Sequence, residues 1–247
     1  VINKKQGNGA GMNLGSKRML KGLLSVCVAV LLSSPLPVVT AANVVLEPLT
    51  LQQGSLISAK IPQFDSGLAP TPMARLNEQL RHVVLKRLHD FETVSYQTRL
   101  APQLPTGIKA SLIFMADYEV FRNDADFVSL TQQVYQYTGG AHGMTWQIGH
   151  TIDLATGRQL MLADLFLPEA NYTERLSQFV RTEGAARQLP MWDFKGVNRQ
   201  SSFYLSNDSI VLFFQQYEVA PYSAGIIKMQ IPYRQVADIL RPELRLW

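Results

Sequence analysis

Three consecutive strand-like runs, SLIFMADYEVF, FVSLTQQVYQYT and MTWQIGHTIDL, are separated only by RNDAD and GGAHG, and this spacing limits the fold more than any other feature of the chain. Short polar or glycine-rich links between segments of period two indicate hairpins, because a parallel connection needs a far longer crossover. The expected core is therefore an antiparallel meander. In the second run Val128, Leu130, Val134, Tyr135 and Tyr137 do not keep one alternation, and a β-bulge near Gln132 and Gln133 is expected to absorb the slip.

The second strong signal lies upstream. Met73, Leu76, Leu80, Val83, Val84, Leu88 and Phe91 recur at steps of three and four, with Arg75, Glu78, Arg81, Lys86 and Arg87 between them. This is the pattern of an amphipathic helix, with Thr71 as its N-cap and Pro72 at its first position. Its apolar stripe reads as a core face. Before it, VVLEPLTL and SLISAKIPQF read as strands. After the meander come a short helical turn in QLMLADLFLPE, a helix in TERLSQFVRTEGAARQL, strands in FYLS, IVLFFQQYEV and IIKMQIPY, and a closing helix in RQVADIL. Runs of strands with helices grouped between them give an α+β fold: an antiparallel sheet meander, a long helix in the N-terminal region, and helices packed on one face. A Pro-rich connection, APQLPTG, precedes the meander, and no internal repeat is visible.

Charge needs its position as well as its sum. The chain of 247 residues carries 23 Lys and Arg against 19 Asp and Glu. Five of the basic residues, Lys4, Lys5, Lys17, Arg18 and Lys21, precede residue 43, where no acid occurs, which leaves 18 against 19 in the remainder. A nucleic-acid footprint is absent. The basic residues instead flank the apolar run Leu23 to Leu32, followed by Pro35, Pro37 and the small residues Thr40, Ala41 and Ala42. Residues 1–42 thus read as upstream sequence and a secretory signal, and any membrane association would run through this segment if it stays uncleaved. Cleavage removes Cys27, the only cysteine, and with it every disulfide, thiol nucleophile or cysteine metal site.

No G-x-S-x-G elbow, H-E-x-x-H helix, Walker loop or dinucleotide glycine pattern is present. His82 and His89 stand about 10 Å apart along a helix, and His142 and His150 about 26 Å apart along an extended strand, so neither pair can share a metal ion. No metal and no cofactor are expected. In YTGGAHG, Gly139 and Gly140 suit a turn with positive φ, Gly143 permits close approach of a strand or ligand, and His142 is the one histidine placed to meet groups from elsewhere. In QYEVAPYSAG, Tyr217, Glu218, Tyr222 and Ser223 surround Pro221 and precede Gly225. Such a loop suits binding of a sugar or a protein surface, because tyrosine combines apolar area with a hydroxyl; it equally suits a proline-ordered loop covering a sheet edge.

TGGAHG, IDLATGRQLMLADLF and FYLSNDSIVLFFQQYEVAPYSAGIIKMQIPYRQVADIL resemble the bacterial extracytoplasmic domain of unknown function found in RsiV-type lysozyme-sensing anti-sigma factors, over roughly residues 125–241. IPQFDSGLAPTPMARLNEQL resembles the companion N-terminal part of that module, which also precedes the catalytic region of PdaC-type peptidoglycan deacetylases. The resemblance divides the chain into residues 1–42, an N-terminal part at 43–124 and an RsiV-like part at 125–247. It implies a secreted or periplasmic binding module of the cell envelope, with a lysozyme-like protein or a peptidoglycan-type glycan as ligand. Neither the sigma-binding segment nor the deacetylase domain of those families is recognised in these 247 residues, so the expectation carries over neither activity. The expected function is non-enzymatic binding through His142, Tyr217, Glu218 and Tyr222. A metal-independent hydrolase or transferase acting on envelope glycans, with Glu218 as acid or base and His142 as its partner, is the alternative; a structural envelope protein is a third.

Overall fold

The computed structural model describes residues 44–53, 56–100 and 112–246. The signal segment with Cys27, and the APQLPTG connection, lie outside the described residues.

Two sheets form. The larger has six strands in the order β1 (Leu46–Gln53), β2 (Ile57–Phe64), β3 (Ile113–Asn123), β4 (Phe127–Tyr137), β5 (Met144–Asp153) and β6 (Arg158–Gln159). From β3 to β6 it is the antiparallel meander that the short links require. β2 and β3, however, are parallel through Ile57–Ala59 and Phe114–Ala116. The crossover between them is helix α1 (Pro70–Leu100), so a βαβ unit adjoins the meander. The smaller sheet consists of β7 (Phe203–Leu205), β8 (Ser209–Phe214) and β9 (Ile227–Pro232), all antiparallel. The architecture is mixed α+β.

α1 starts at Pro70, one residue before the expected cap, with the Met73 amide donating to the Ala69 carbonyl at 3.1 Å. Leu76, Leu80, Val84 and Phe91 are buried against Ala59, Ile61, Phe114, Ala116, Val128, Leu130 and Val134 of the larger sheet. Removing each such side chain from water is worth about 1.5–3 kcal/mol. The second helix, α2 (Tyr172–Ala186), lies elsewhere: Leu176 and Val180 pack on Leu205, Leu212, Met229 and Ile231 of the smaller sheet. The helices therefore belong to different cores and do not share one face. The cause is the second apolar face of β7–β9, which α2 covers. Its opposite side, Tyr204, Val211 and Phe213, packs on Phe121 of β3, whose ring stacks on Tyr204 at 3.9 Å.

The bulge is not at Gln132. Pairing of β4 with β3 stays regular there and shifts between Val120 and Arg122, on the opposite strand. Val128, Leu130, Gln132, Val134 and Gln136 keep strict alternation on the α1 side, because each glutamine side chain donates to a backbone carbonyl of α1. Gln132 Nε2 donates to the Leu80 carbonyl at 3.1 Å, and Gln136 Nε2 to the Arg87 carbonyl at 3.0 Å. The other face of β4 is covered as well: Ser129 Oγ accepts the amide of Leu205 on β7 and contacts Thr151 Oγ1, both at 2.8 Å. A strand covered on both sides carries apolar residues in both registers, which imitates a slip.

The expected closing helix is also shorter than expected. After Pro232 the chain makes a 3-10 turn at Tyr233–Gln235, and Leu240 then bridges to Phe166. Position 124/125 falls in the β3–β4 turn, where Asp124 Oδ1 accepts the amides of Asp126 and Phe127.

Two asparagine side chains fasten the periphery. Asn77 on α1 accepts the Phe64 amide at 2.7 Å and donates to the Phe64 carbonyl at 2.9 Å. Asn123 does the same for Val44, at 3.1 and 2.9 Å. Each carboxamide supplies the donor and acceptor that a neighbouring strand would offer.

Candidate functional site: a ring cluster beside the free edge of β5

β4 and β5 are joined by residues 138–143, a wider loop than a two-residue hairpin. Gly139 and Gly140 take φ of +99° and +101°, where a side chain would be strained. At Gly143 a Cβ would stand 2.5 Å from the Tyr135 ring, so the absence of a side chain lets the loop fold over that tyrosine. Tyr137 Oη donates to the Gly140 carbonyl at 2.9 Å. The loop thus holds His142 at the surface beside the outer edge of β5.

The second loop arrives from β8. β5 pairs with β6 only at Ile152 and Asp153, leaving most of its outer edge without a strand. Gln215 takes the strand's place. Its Oε1 accepts the Gln147 amide at 3.0 Å and its Nε2 donates to the Gln147 carbonyl at 2.8 Å. Gln216 Oε1 accepts the Thr145 amide at 2.7 Å. These two side chains fix the following residues against the first loop. Neither glutamine was identifiable as a site residue from sequence: both sit at the end of an apolar strand, and nothing in QQ reveals that its amides will complete a ladder.

Three rings then converge. The rings of His142 and Tyr222 stack at 3.9 Å with planes 21° apart. Tyr217 lies 5.8 Å from Tyr222 and 6.3 Å from His142 by ring centroids. Tyr217 Oη and His142 Nε2 are 3.3 Å apart, and His142 Nδ1 is 3.0 Å from the Gly143 carbonyl. A carbonyl only accepts, so Nδ1 carries the hydrogen, and in the neutral ring Nε2 accepts from the tyrosine hydroxyl. Tyr217 is 51% exposed, and its φ of +67° is unusual for an aromatic residue. Pro221 has φ −62° and opens the 3-10 turn Tyr222–Ala224, while Gly225 ends it at φ +67°, ψ −151°, a conformation close to glycine-only.

Glu218 does not join the rings. Its Oε2 accepts the Gln215 amide at 2.7 Å, and the side chain lines a different cleft with Phe194 and Lys195. No hydrogen bond links Glu218 to His142 among the described residues. The loop pair brings together His142, Tyr217 and Tyr222, a platform for contact, while the acid–base pair of the alternative reading is not assembled in this geometry.

The other histidines stand apart. His150 is buried in β5, its Nδ1 3.3 Å from Gln159 Oε1, and burial pushes its pKa down to about 4 despite that hydrogen bond. Burial likewise pushes Tyr233 up to about 12, with its hydroxyl donating to the Ser206 carbonyl at 2.7 Å. Among the described residues no three His, Cys, Asp or Glu side chains gather closely enough to hold a metal ion, and no helix is long and apolar enough to cross a membrane.

Comparison with known proteins supports a DUF3298/PdaC-like family. Residues 163–234 match the family described as protein of unknown function DUF3298, and residues 52–145 match that described as deacetylase PdaC. The esterase Rv3036c of Mycobacterium tuberculosis is 29% identical over 111 residues, covering 42% of this chain and 48% of that protein. The peptidoglycan-N-acetylmuramic acid deacetylase PdaC of Bacillus subtilis is 27% identical over 135 residues, 51% of this chain and 29% of that protein. The chain thus spans less than half the length of each. Crystal structures of DUF3298 family members from Bacteroides fragilis and Pseudomonas aeruginosa share the fold, with TM-scores of 0.65 and 0.59 at 17% and 18% identity. Each likeness covers 83% of this chain, and 98% and 97% of the respective structures.

Proposed function

We propose that this chain is an extracytoplasmic binding module of the bacterial cell envelope, taking a peptidoglycan-type glycan on the His142, Tyr217 and Tyr222 platform. The observation that carries the reading is the convergence of three rings from two loops, with the exposed Tyr217 held in a left-handed backbone. A stacked, tilted aromatic surface with two hydroxyls and an imidazole offers sugar C–H faces an apolar floor and sugar hydroxyls their partners. Backbone strain at a surface aromatic is costly and is retained where the ring has a task. The naming of one relative for peptidoglycan chemistry supports an envelope setting.

Calorimetric titration with soluble peptidoglycan fragments, with lysozyme as the protein arm, tests this directly. Binding of fragments that is lost in Tyr217→Ala and Tyr222→Ala is the expected result. Binding of neither ligand removes the reading, and binding of lysozyme alone moves it to a protein partner.

A second reading draws on the relatives named as a deacetylase and an esterase: hydrolysis of acetyl or ester groups on envelope glycans. Its measure is acetate release from N-acetylated fragments and p-nitrophenyl acetate cleavage. Turnover that disappears in His142→Ala would favour it, whereas turnover equal to buffer would sink it.

A further inference from the structure

Along the same free edge of β5, but past Gln215, lies a cleft of about 400 Å³ that the ring platform does not use. Its walls come from β5 itself, the β6 region, the segment before β7, and Arg87 reaching over from α1. Two arginines line it, Arg87 and Arg199, and no aspartate or glutamate does.

Neither arginine has an ion-pair partner among the described residues. Asp90, whose charge acts on Arg87, is itself paired with Lys86 at 2.9 Å. Arg87 is positioned all the same, with its guanidinium carbon 4.6 Å from the centre of the Trp146 ring. Stacking of this kind holds the planar group in place while leaving N–H edges free to bind an oxyanion in a fork. Burial lowers the pKa of Arg87 against the opposing pull of Asp90, so its charge stands partly out of water. An anion in the cleft would offset that cost.

The remaining lining identifies the kind of anion. Ser201, Ser202 and Gln200 supply hydroxyl and amide groups, while Met161, which is 47% exposed, supplies apolar surface. A bare inorganic anion would satisfy the arginines and leave that apolar surface wet. A sugar acid fits all three: carboxylate to the guanidinium pair, ring hydroxyls to the serines and glutamine, and C–H faces to the methionine.

We infer that this cleft is a binding site for a carboxylate-bearing sugar, with Arg87 and Arg199 as its anion-binding residues. The site is separate from the ring platform and its existence does not depend on what that platform binds.

The experiment is calorimetric titration of the whole chain with two matched pairs, none of them a peptidoglycan sugar: glucuronic acid against glucose, and galacturonic acid against galactose. At least one acid binds while its neutral counterpart does not, and raising the salt concentration weakens binding. Arg199→Gln, on an exposed segment, leaves the fold intact and lowers affinity at least tenfold, and Arg87→Gln does the same. Equal affinity for acid and neutral sugar, retention of wild-type affinity in both arginine variants, or binding of inorganic phosphate as tight as that of the sugar acid would each overturn the assignment.

Discussion

Acidification tests the buried state of His150 and is the most quantitative consequence of the fold. The residue is almost fully buried and its pKa falls to about 4 from an ordinary 6.5. The unfolded chain therefore takes up this proton first as the pH drops. The stabilising difference is fully present above pH 6.5 and is lost progressively as the pH falls toward 4. Over the whole interval the loss is about 3 kcal/mol, at 1.36 kcal/mol for each unit of difference between the two states. Between pH 7 and pH 5 it is about 2 kcal/mol, which for a chain of this size lowers Tm by roughly 4–8 °C. The control is His150→Gln, which keeps a donor for the Gln159 oxygen but has no group that titrates here. Chemical denaturation at pH 7, 6 and 5 should give the wild type a steeper decline than the variant, the two curves separating by about 2 kcal/mol at pH 5. Parallel curves would refute the reasoning, as would a His150 ring that titrates near 6.5 by NMR in the folded protein.

Ser129→Ala removes the acceptor for the buried Leu205 amide and the partner of Thr151 Oγ1; unfolding free energy should fall by about 1–3 kcal/mol. Gly149→Ala would drive a Cβ into the Phe203 carbonyl oxygen, a backbone atom that cannot swing aside; a loss of about 1–3 kcal/mol or more, read by urea denaturation, is expected. Tyr217→Gly relieves the left-handed strain, worth about 1–2 kcal/mol, while deleting the exposed ring. Its thermal stability should stay near wild type or rise while glycan binding disappears, and a parallel loss of both would show that the tyrosine is structural. Gln215→Ala strips the Gln147 amide and carbonyl of their partner, with an expected cost of about 1–3 kcal/mol and faster hydrogen exchange at Gln147.

The meander was legible because chain length alone forbids RNDAD and GGAHG from making parallel crossovers. The parallel β2–β3 pair was not, since pairing between distant strands leaves no mark on either strand's alternation. The broken alternation of β4 pointed to a bulge near Gln132 and Gln133 because a polar residue interrupts the apolar face, whereas the Gln132 side chain reaches the Leu80 carbonyl inside the core. At the site, composition drew attention to His142, Tyr217 and Tyr222. Their meeting depends on Gln215 and Gln216, which bond backbone some seventy residues away in sequence. Glu218 was grouped with them by adjacency, but a hydrogen bond to the Gln215 amide commits it to its own turn. The arginine cleft left no local signal at all, because Arg87 and Arg199 come from segments more than a hundred positions apart.

The sealing of β5 by glutamines has a consequence for self-association. A bare strand edge invites a second copy of the chain to add its own strand, the first step toward domain exchange or fibril growth. Here that template is masked by two carboxamides instead of a backbone, and the same two carboxamides anchor the loop that carries Tyr217. Mutation or chemical ageing that releases either amide unmasks the template and frees the loop together. Loss of ligand binding and gain of stickiness should therefore appear in the same variants, and a preparation that has begun to aggregate is expected to have lost recognition already.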